Sequence, residues 1–241
     1  MVKALGVDGC RQGWFWVSRE GDRLCHGVAT CINDLLSGLP TDSRVFIDIP
    51  IGLLEGGTEG RECDLEARRL LGPGRGSSVF PAPYRPVLAA AGYDEAKRIS
   101  QQVSGRMLSK QAWFIVPKIR EVDACLAEQP ALAGRLREVH PELAFWGLNG
   151  GRPLVHGKKT TAGFEERREL LARYLPGAPA VISEALVRYR RKDVARDDIV
   201  DALVNLVLAS MPAAAVRTAP AEPPRDARGL VMEIVYPAIR A

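Results

Sequence analysis

One stretch near the start of the chain decides the fold, Lys3-Ala4-Leu5-Gly6-Val7-Asp8-Gly9. Its residues alternate as in a β-strand, and Gly9 marks the end of that strand. Two more strand patterns follow, at Trp14–Arg19 and Arg23–Thr30, after links short enough for hairpins. This part of the sequence therefore predicts a three-stranded antiparallel meander.

A fourth strand pattern extends the meander into a mixed sheet. A short helix pattern at Asp34–Leu39 leads to a strand at Arg44–Asp48, which Pro50 and Gly52 halt. Because a helical crossover usually connects parallel neighbours, we expect the fourth strand to run parallel to the first. A fifth candidate strand lies at Arg137–His140. The predicted class is α/β, with a mixed five-stranded sheet and flanking helices.

The rest of the chain is predominantly helical, and we expect a single domain over residues 1–241. A helical and loop insertion spans residues 54–135 of this predicted domain. Helix patterns occur at Glu59–Leu71, Asp94–Phe114, Pro117–Leu126, Phe164–Tyr174 and Asp198–Ser210. A Pro- and Ala-rich linker, residues 212–226, then leads to a terminal strand at Leu230–Val235.

The composition excludes several classes of protein. With 46% hydrophobic and 26% charged residues, the 241-residue chain is typical of a globular protein and not of a disordered, collagen-like or coiled-coil one. No stretch approaches the roughly 20 apolar residues of a membrane span, and no signal-peptide pattern opens the chain. We therefore expect a soluble, cytoplasmic protein with no membrane association. Its net charge of +4 is too small to identify a partner.

The five cysteines are scattered along the chain and form no C-x-x-C pair. Their odd number also argues against a closed set of disulfides. This pattern favours reduced thiols over a disulfide framework or a zinc knuckle.

Several acidic residues occupy positions where apolar residues would be expected. Asp8 ends the first strand and Asp48 ends the fourth. If these strands are parallel neighbours, both carboxylates emerge at the same carboxyl edge of the sheet, where open α/β sheets bind ligands. The alternative for each residue is that an Asp after a strand only starts a turn.

The last helix pattern carries a second pair of acids. Its apolar residues surround nearly the whole helix, which indicates a buried helix. The polar stripe consists of Asp198, Asp201 and Asn205, whose spacing places them on one face. The alternative, in which the acids only complement the helix dipole at its N-terminus, explains Asp198 better than Asp201.

Four carboxylates that converge on one place repel each other and have raised pKa values unless a cation neutralises them. Mg²⁺ and Mn²⁺ prefer oxygen ligands, and two such ions about 4 Å apart can promote phosphodiester hydrolysis. We therefore predict that Mg²⁺ or Mn²⁺ is bound by Asp8, Asp48, Asp198 and Asp201.

Several motifs resemble known families. The opening Leu5–Trp14 resembles that of ribonuclease H-like nucleases, and Asp198-x-x-Asp201-Ala202-Leu203 resembles the last-helix motif of RuvC-type resolvases in the same superfamily. The whole chain is similar to a widespread family of uncharacterised bacterial and archaeal proteins that are predicted nucleases of ribonuclease H fold. The motifs that carry this wider resemblance are Ile47–Leu53, Arg61-x-Cys63-Asp64, Ser77–Pro81, Lys118–Asp123 and Glu138–Glu142.

The resemblance implies a ribonuclease H-like sheet of order 3-2-1-4-5 and a two-metal nuclease centre. By position, Asp8 matches the first-strand acid, while Asp198 and Asp201 match the last-helix pair. Asp48 matches the fourth-strand acid, where RuvC-type enzymes are expected to carry Glu.

Two further sets of residues are candidates for the site. Glu138 and His140 follow the fifth strand, where His140 could orient a water or act as a general base. The alternatives are a zinc site that includes Glu142, and simple local hydrogen bonding.

Basic side chains could contact phosphates around the metals, and our candidates are Arg11, Arg61, Lys118, Lys158 and Lys159. A solvated surface is the alternative for such bases, and for Arg61 it is an ion-pair network with Asp64.

The leading hypothesis is a metal-dependent nuclease, a hydrolase of phosphodiester bonds in DNA or RNA. A second hypothesis is a non-catalytic nucleic-acid or protein-binding module on the same fold. A third is a small-molecule phosphohydrolase or phosphotransferase, although kinases of this fold use a duplicated domain and phosphate loops that this sequence lacks. An oligomer is compatible with each hypothesis.

Overall fold

The computed structural model describes residues 4–239, and their contacts divide the chain into two compact units. The first unit comprises residues 4–48, 134–217 and 235–239 of the described chain. The second comprises residues 49–133 and 218–234. Lys3, where we expected the first strand to begin, lies outside the described residues.

The first unit is built around a mixed five-stranded sheet. Its strands are β1 (Ala4–Cys10), β2 (Gly13–Glu20), β3 (Arg23–Ala29), β4 (Arg44–Ile47) and β5 (Leu136–Glu138). Their order is β3-β2-β1-β4-β5, in which β1 is antiparallel to β2 and parallel to β4, and β5 is parallel to β4. The predicted α/β class, the strand order 3-2-1-4-5 and the parallel pairing of the first and fourth strands are confirmed.

The register of the parallel strands places three acids at one edge of the sheet. Val7 of β1 is the partner of Ile47 of β4, so Asp8 and Asp48 each follow the last paired residue. The Asp48 N–H donates to the Val7 carbonyl oxygen at 3.2 Å. On the other side of β4, Glu138 is the partner of Ile47. The carboxyl ends of three neighbouring strands therefore carry carboxylates at nearly the same level.

Helices account for most of the remaining chain. In order they are α1 (Ile32–Ser37), α2 (Glu62–Arg75), α3 (Tyr93–Ser104), α4 (Lys110–Glu128), α5 (Pro141–Leu148), α6 (Thr161–Tyr174), α7 (Ala178–Arg188) and α8 (Arg196–Ser210). Helices α2 to α4 belong to the second unit and the others to the first. Within residues 4–239, no helix is long and apolar enough to cross a membrane.

Helix α8 is buried along most of its length and packs against β1. Gly6 makes this close packing possible, because a Cβ atom there would lie 2.1 Å from the Ala202 carbonyl oxygen and 2.2 Å from the Leu206 nitrogen. The backbones of β1 and α8 are thus in direct contact. This contact brings the polar face of α8 to the strand end that carries Asp8.

The long helix predicted at Asp94–Phe114 is wrong, because the chain forms two helices there. Helix α3 ends where Gly105 adopts a left-handed backbone with φ of 69°. Helix α4 begins after Ser109, whose Oγ accepts a hydrogen bond from the Ala112 N–H at 3.1 Å. It then continues through Pro117, where we expected a new helix. A proline inside a helix removes one hydrogen bond and crowds the preceding turn, so the packing of α4 offsets this cost.

The expectations for the end of the chain also need correction. The Pro- and Ala-rich stretch 212–226 contains a strand, β6 (Val216–Ala219), which pairs with β7 (Ile234–Pro237). The terminal strand thus begins at Ile234 and not at Leu230. The reason is a turn at Asp226, whose N–H donates to the Leu230 carbonyl and whose Oδ1 accepts from the Leu230 N–H, both at 2.9 Å.

The second unit contains two buried arginines with acidic partners. Arg85 pairs with Asp123 and Asp226, and its Nε lies 3.0 Å from Glu55 Oε1. Arg61 pairs with Asp64. These ion pairs hold the irregular segments of this unit together around its apolar residues.

Candidate metal centre

Three carboxylates meet at the edge of the sheet in the first unit. Asp8 at the end of β1, Asp48 after β4 and Asp201 on α8 each offer an oxygen, and these three oxygens lie within 4.8 Å of one another. Asp8 and Asp201 are buried, and Asp48 is half-buried. Because Mg²⁺ binds oxygens at about 2.1 Å, only a small closure would allow all three to contact one ion.

The fourth predicted ligand, Asp198, lies outside this group of three. Its Oδ2 accepts a hydrogen bond from the Ala195 N–H at 2.8 Å in the first turn of α8. This contact puts Asp198 in the first turn of the helix, where the alternative interpretation has an acid complement the helix dipole. The Asp198 carboxylate still adds to the rise in the pKa of Asp8, after burial and the nearer carboxylates. Its role as a ligand stays a prediction.

The electrostatics of this cluster favour a cation. Burial, followed by Asp48 and Asp201, raises the pKa of Asp8 well above its usual range. Burial is also the main cause that raises the pKa of Asp48 to about 8, the pKa of Asp198 to about 7, and the pKa of Asp201. A divalent ion would replace these protons, since metal binding to carboxylates releases them.

One positive side chain already lies at the cluster. Lys158 Nζ is 3.2 Å from Asp201 Oδ2. Asp201 above all raises the pKa of the Lys158 ammonium, with help from Asp48 and against the effect of burial. We predicted Lys158 as a phosphate contact, but not its pairing with Asp201. These two residues are 43 positions apart, so no local pattern in the sequence could reveal the pair.

The loop that carries Lys158 is fixed onto α6 at both ends. Before Lys158, the N–H groups of Val155 and His156 donate to the Glu166 carboxylate at 2.8 and 2.9 Å. After it, Thr160 Oγ1 accepts from the N–H of Gly163 at 3.0 Å and caps α6. The position of Lys158 beside Asp201 is therefore set by a hydrogen-bonded loop.

Basic residues lie on three segments that hydrogen bond to each other, and one of these segments carries Lys158 beside Asp201. The β1–β2 turn carries Arg11, and its Gln12 N–H donates to the Asp193 carbonyl at 3.3 Å. At the start of α8, Arg196 donates to the Lys159 carbonyl at 2.8 Å, which joins this helix to the Lys158 loop. The bases on these segments are Arg11, Lys158, Lys159, Arg190, Arg191, Lys192 and Arg196.

Two other predicted residues of the first unit lie at the end of β5 or just after it, and β5 pairs with the strand that Asp48 follows. Glu138 is buried on β5 and adds to the rise in the pKa of Asp48, after burial and Asp201. His140 occupies the N-cap position of α5. Their catalytic roles stay predictions.

Sequence reasoning weighed Glu142 only for a zinc site and overlooked Arg167. Glu142 is buried in the first turn of α5 and pairs with the buried Arg167 of α6. After burial and Asp197, Glu142 contributes to the rise in the pKa of Asp201. Arg167 therefore offsets part of the negative charge that Glu142 brings to the centre.

The prediction that Arg61 contacts substrate needs correction. The Arg61 side chain is 3% exposed. Its guanidinium donates to Asp64 at 2.6 Å and to the carbonyls of Ile51 and Gly52 at 3.1 and 3.2 Å. With its donors directed at these groups, Arg61 acts as an internal ion-pair partner. Lys118 is half-buried on α4 of the second unit, and its role stays a prediction.

Comparison with known proteins gives a family match. A model of the family described as "Protein of unknown function (DUF429)" matches residues 6–225, a range that includes all three clustered aspartates. No curated protein and no solved structure matches the chain.

Proposed function

The chain belongs to the family DUF429, whose model covers most of its length, and we propose that it is a divalent-metal-dependent nuclease that hydrolyses phosphodiester bonds of nucleic acid. The observation that carries this proposal is the Asp8, Asp48 and Asp201 cluster at the carboxyl edge of the sheet. The strand order and the motif resemblance support a ribonuclease H-like fold, in which such a cluster would be the catalytic centre.

The three aspartates fit Mg²⁺ or Mn²⁺ by the chemistry of their donors. They supply only oxygen, which these ions prefer, and no cysteine or histidine belongs to the group. When bound, the ion supplies Lewis-acid activation of a phosphoryl group and of the attacking water. Glu138, beside Asp48, adds a carboxylate at which a second ion could bind.

The basic segments around the cluster support a polyanionic substrate. In this proposal Lys158, Lys159 and Arg11 would bind backbone phosphates, because charged side chains recognise phosphates without regard to sequence. Lys158 would pair with the Asp201 carboxylate in the free protein and with a backbone phosphate when nucleic acid binds. His140 would hold or orient a water at the end of the sheet.

The Lys158–Asp201 pair also favours a second candidate, the non-catalytic binding module. The Lys158 ammonium lies 3.2 Å from Asp201 Oδ2 and neutralises part of the negative charge of the cluster without any metal. In that case the fold would bind nucleic acid through the same basic segments but would not cleave it.

A cleavage assay on single- and double-stranded DNA and RNA in Mg²⁺ or Mn²⁺ tests the proposal. We expect the wild-type protein to cleave at least one substrate, and both Asp8→Asn and Asp201→Asn to reduce cleavage to background. Asp34→Asn is the matched control, since it removes one exposed carboxylate on α1. Cleavage that persists in Asp201→Asn would overturn the site, whereas binding without cleavage in the wild type would favour the binding module.

A further inference from the structure

Asn205 is a wholly buried polar residue on α8, one turn beyond Asp201. Its Nδ2 donates a hydrogen bond to the Val7 carbonyl oxygen at 2.8 Å. The same oxygen accepts the Asp48 N–H at 3.2 Å. A single carbonyl therefore receives hydrogen bonds from α8 and from the end of β4, and it belongs to the residue before Asp8.

The three elements that meet at this carbonyl are those that carry the three clustered aspartates. The close packing at Gly6 limits where α8 can lie along β1, but apolar contacts are not directional and leave small shifts of the helix open. A hydrogen bond of 2.8 Å has a preferred length and angle and does fix the position of the helix. Since Mg²⁺ tolerates little departure from octahedral geometry, a shift of α8 would affect its binding directly.

The energetics of Asn205 argue against a role in stability alone. Its neighbours along α8 are apolar, and its Oδ1 has no hydrogen-bond partner among the described residues. A buried acceptor without a donor lowers stability, and an apolar side chain of the same shape would avoid that penalty. The amide is therefore better explained by the hydrogen bond from its Nδ2 to the Val7 carbonyl, which holds α8 in place on β1.

We propose that Asn205 is a positioning residue of the metal centre, which acts through the Val7 carbonyl to hold Asp201 opposite Asp8 and Asp48. This inference rests on the proposed function, because it assumes that the three aspartates bind a divalent ion. In this inference Asn205, the third residue of the polar stripe on α8, has a role distinct from those of Asp198 and Asp201.

The test measures Mn²⁺ binding to the full-length protein, by electron paramagnetic resonance of the unbound ion. Asn205→Leu and Asn205→Ala both remove the donor, and we expect each to weaken Mn²⁺ binding by about 10- to 100-fold, as for other residues that orient metal ligands. Leu208→Ala is the control, since it alters the core of the same helix with no polar contact. We expect this variant to melt at a lower temperature and to bind Mn²⁺ as the wild type does.

A merely structural residue would change the melting temperature and the affinity together. We expect instead that Asn205→Leu keeps or raises the melting temperature while it loses affinity. If Asn205→Leu does not fold, Asn205→Ala answers the same question.

Wild-type affinity in a folded Asn205 variant, or an equal loss in Leu208→Ala, would overturn the positioning role. A wild-type protein that binds no Mn²⁺ would overturn the metal centre itself, so the two failures are distinguishable.

Discussion

Substitution of Lys158 by methionine should make the metal-free protein less stable and its Mn²⁺ binding tighter. Lys158 Nζ lies 3.2 Å from Asp201 Oδ2, so an ammonium and a divalent ion compete for the same carboxylate. Methionine retains most of the length of the side chain but has neither its charge nor its hydrogen-bond donors. The metal-free cluster then loses its nearest positive group.

The expected size of the effect follows from the contact. At 3.2 Å, Coulomb's law with an effective dielectric constant of about 20 gives an attraction of about 5 kcal/mol. The Lys158 side chain is 40% exposed and that of Asp201 is 5% exposed, so screening by water and desolvation of the carboxylate offset much of this attraction. We expect a net loss of about 2 kcal/mol in the free energy of unfolding. The same interaction is given up when metal binds, so Mn²⁺ affinity should rise about thirtyfold.

Urea denaturation in the presence of EDTA measures the first effect, and titration with Mn²⁺ measures the second. Lys159→Met is the matched control, because it removes a neighbouring charge that is exposed and should change neither quantity by much. Unchanged or weaker Mn²⁺ binding in Lys158→Met would refute the competition between ammonium and metal. Unchanged metal-free stability would refute the pairing itself.

Three more predictions concern the cluster, the helix packing and the second unit. Burial raises the pKa of Asp48 from 3.8 to about 8, so between these pH values the folded metal-free protein holds more protons than the unfolded chain. The free energy of unfolding should therefore fall as the pH rises from about 4 to about 8, by up to about 1.4 kcal/mol per pH unit for this group. Thermal melts measure this fall, and saturating Mn²⁺ should abolish it. Gly6→Ala should lower the free energy of unfolding by about 3 kcal/mol or more in urea denaturation, because its Cβ would lie 2.1 Å from the Ala202 carbonyl oxygen. Gly38→Ala is the control: its Cβ would meet nothing within 4 Å, so its free energy of unfolding should stay within about 0.5 kcal/mol of wild type. Arg61→Ala should lose about 3 kcal/mol, because it leaves a buried carboxylate unpaired, and should leave Mn²⁺ affinity unchanged; an altered affinity would contradict our correction of its role.

The sheet was predictable because its pattern is local. Alternation marks each strand, and one short helix between Thr30 and Arg44 is enough to make β4 parallel to β1. With that pairing, Asp8 and Asp48 must lie at the same edge. The burial of α8 follows from its apolar residues on all sides, and its polar stripe identifies the face that carries Asp201.

The partners of the acids were not predictable, because they come from distant parts of the chain. Lys158 reaches Asp201 across 43 residues, and Arg167 reaches Glu142 across 25. Such pairs depend on how helices and loops pack, and they leave no periodic signal. The sequence also could not separate Arg61, whose guanidinium is buried against Asp64, from arginines that face the solvent.

Helix boundaries failed for a different reason. The break between α3 and α4 depends on Gly105, whose left-handed backbone ends the first helix, while Pro117 is accommodated inside the second. By intrinsic propensity the proline is the stronger helix breaker, so the sequence pattern favoured a boundary at Pro117 over one at Gly105. Which of them ends a helix is decided by the packing around it.

The measurement that tests the central claim most directly is a crystal structure of the wild-type protein soaked in millimolar Mn²⁺, with the ion located by its anomalous scattering. The account predicts a Mn²⁺ ion bound to oxygens of Asp8, Asp48 and Asp201, and Lys158 Nζ displaced from its 3.2 Å contact. An ordered cluster that holds no ion, with Lys158 still paired to Asp201, would contradict it.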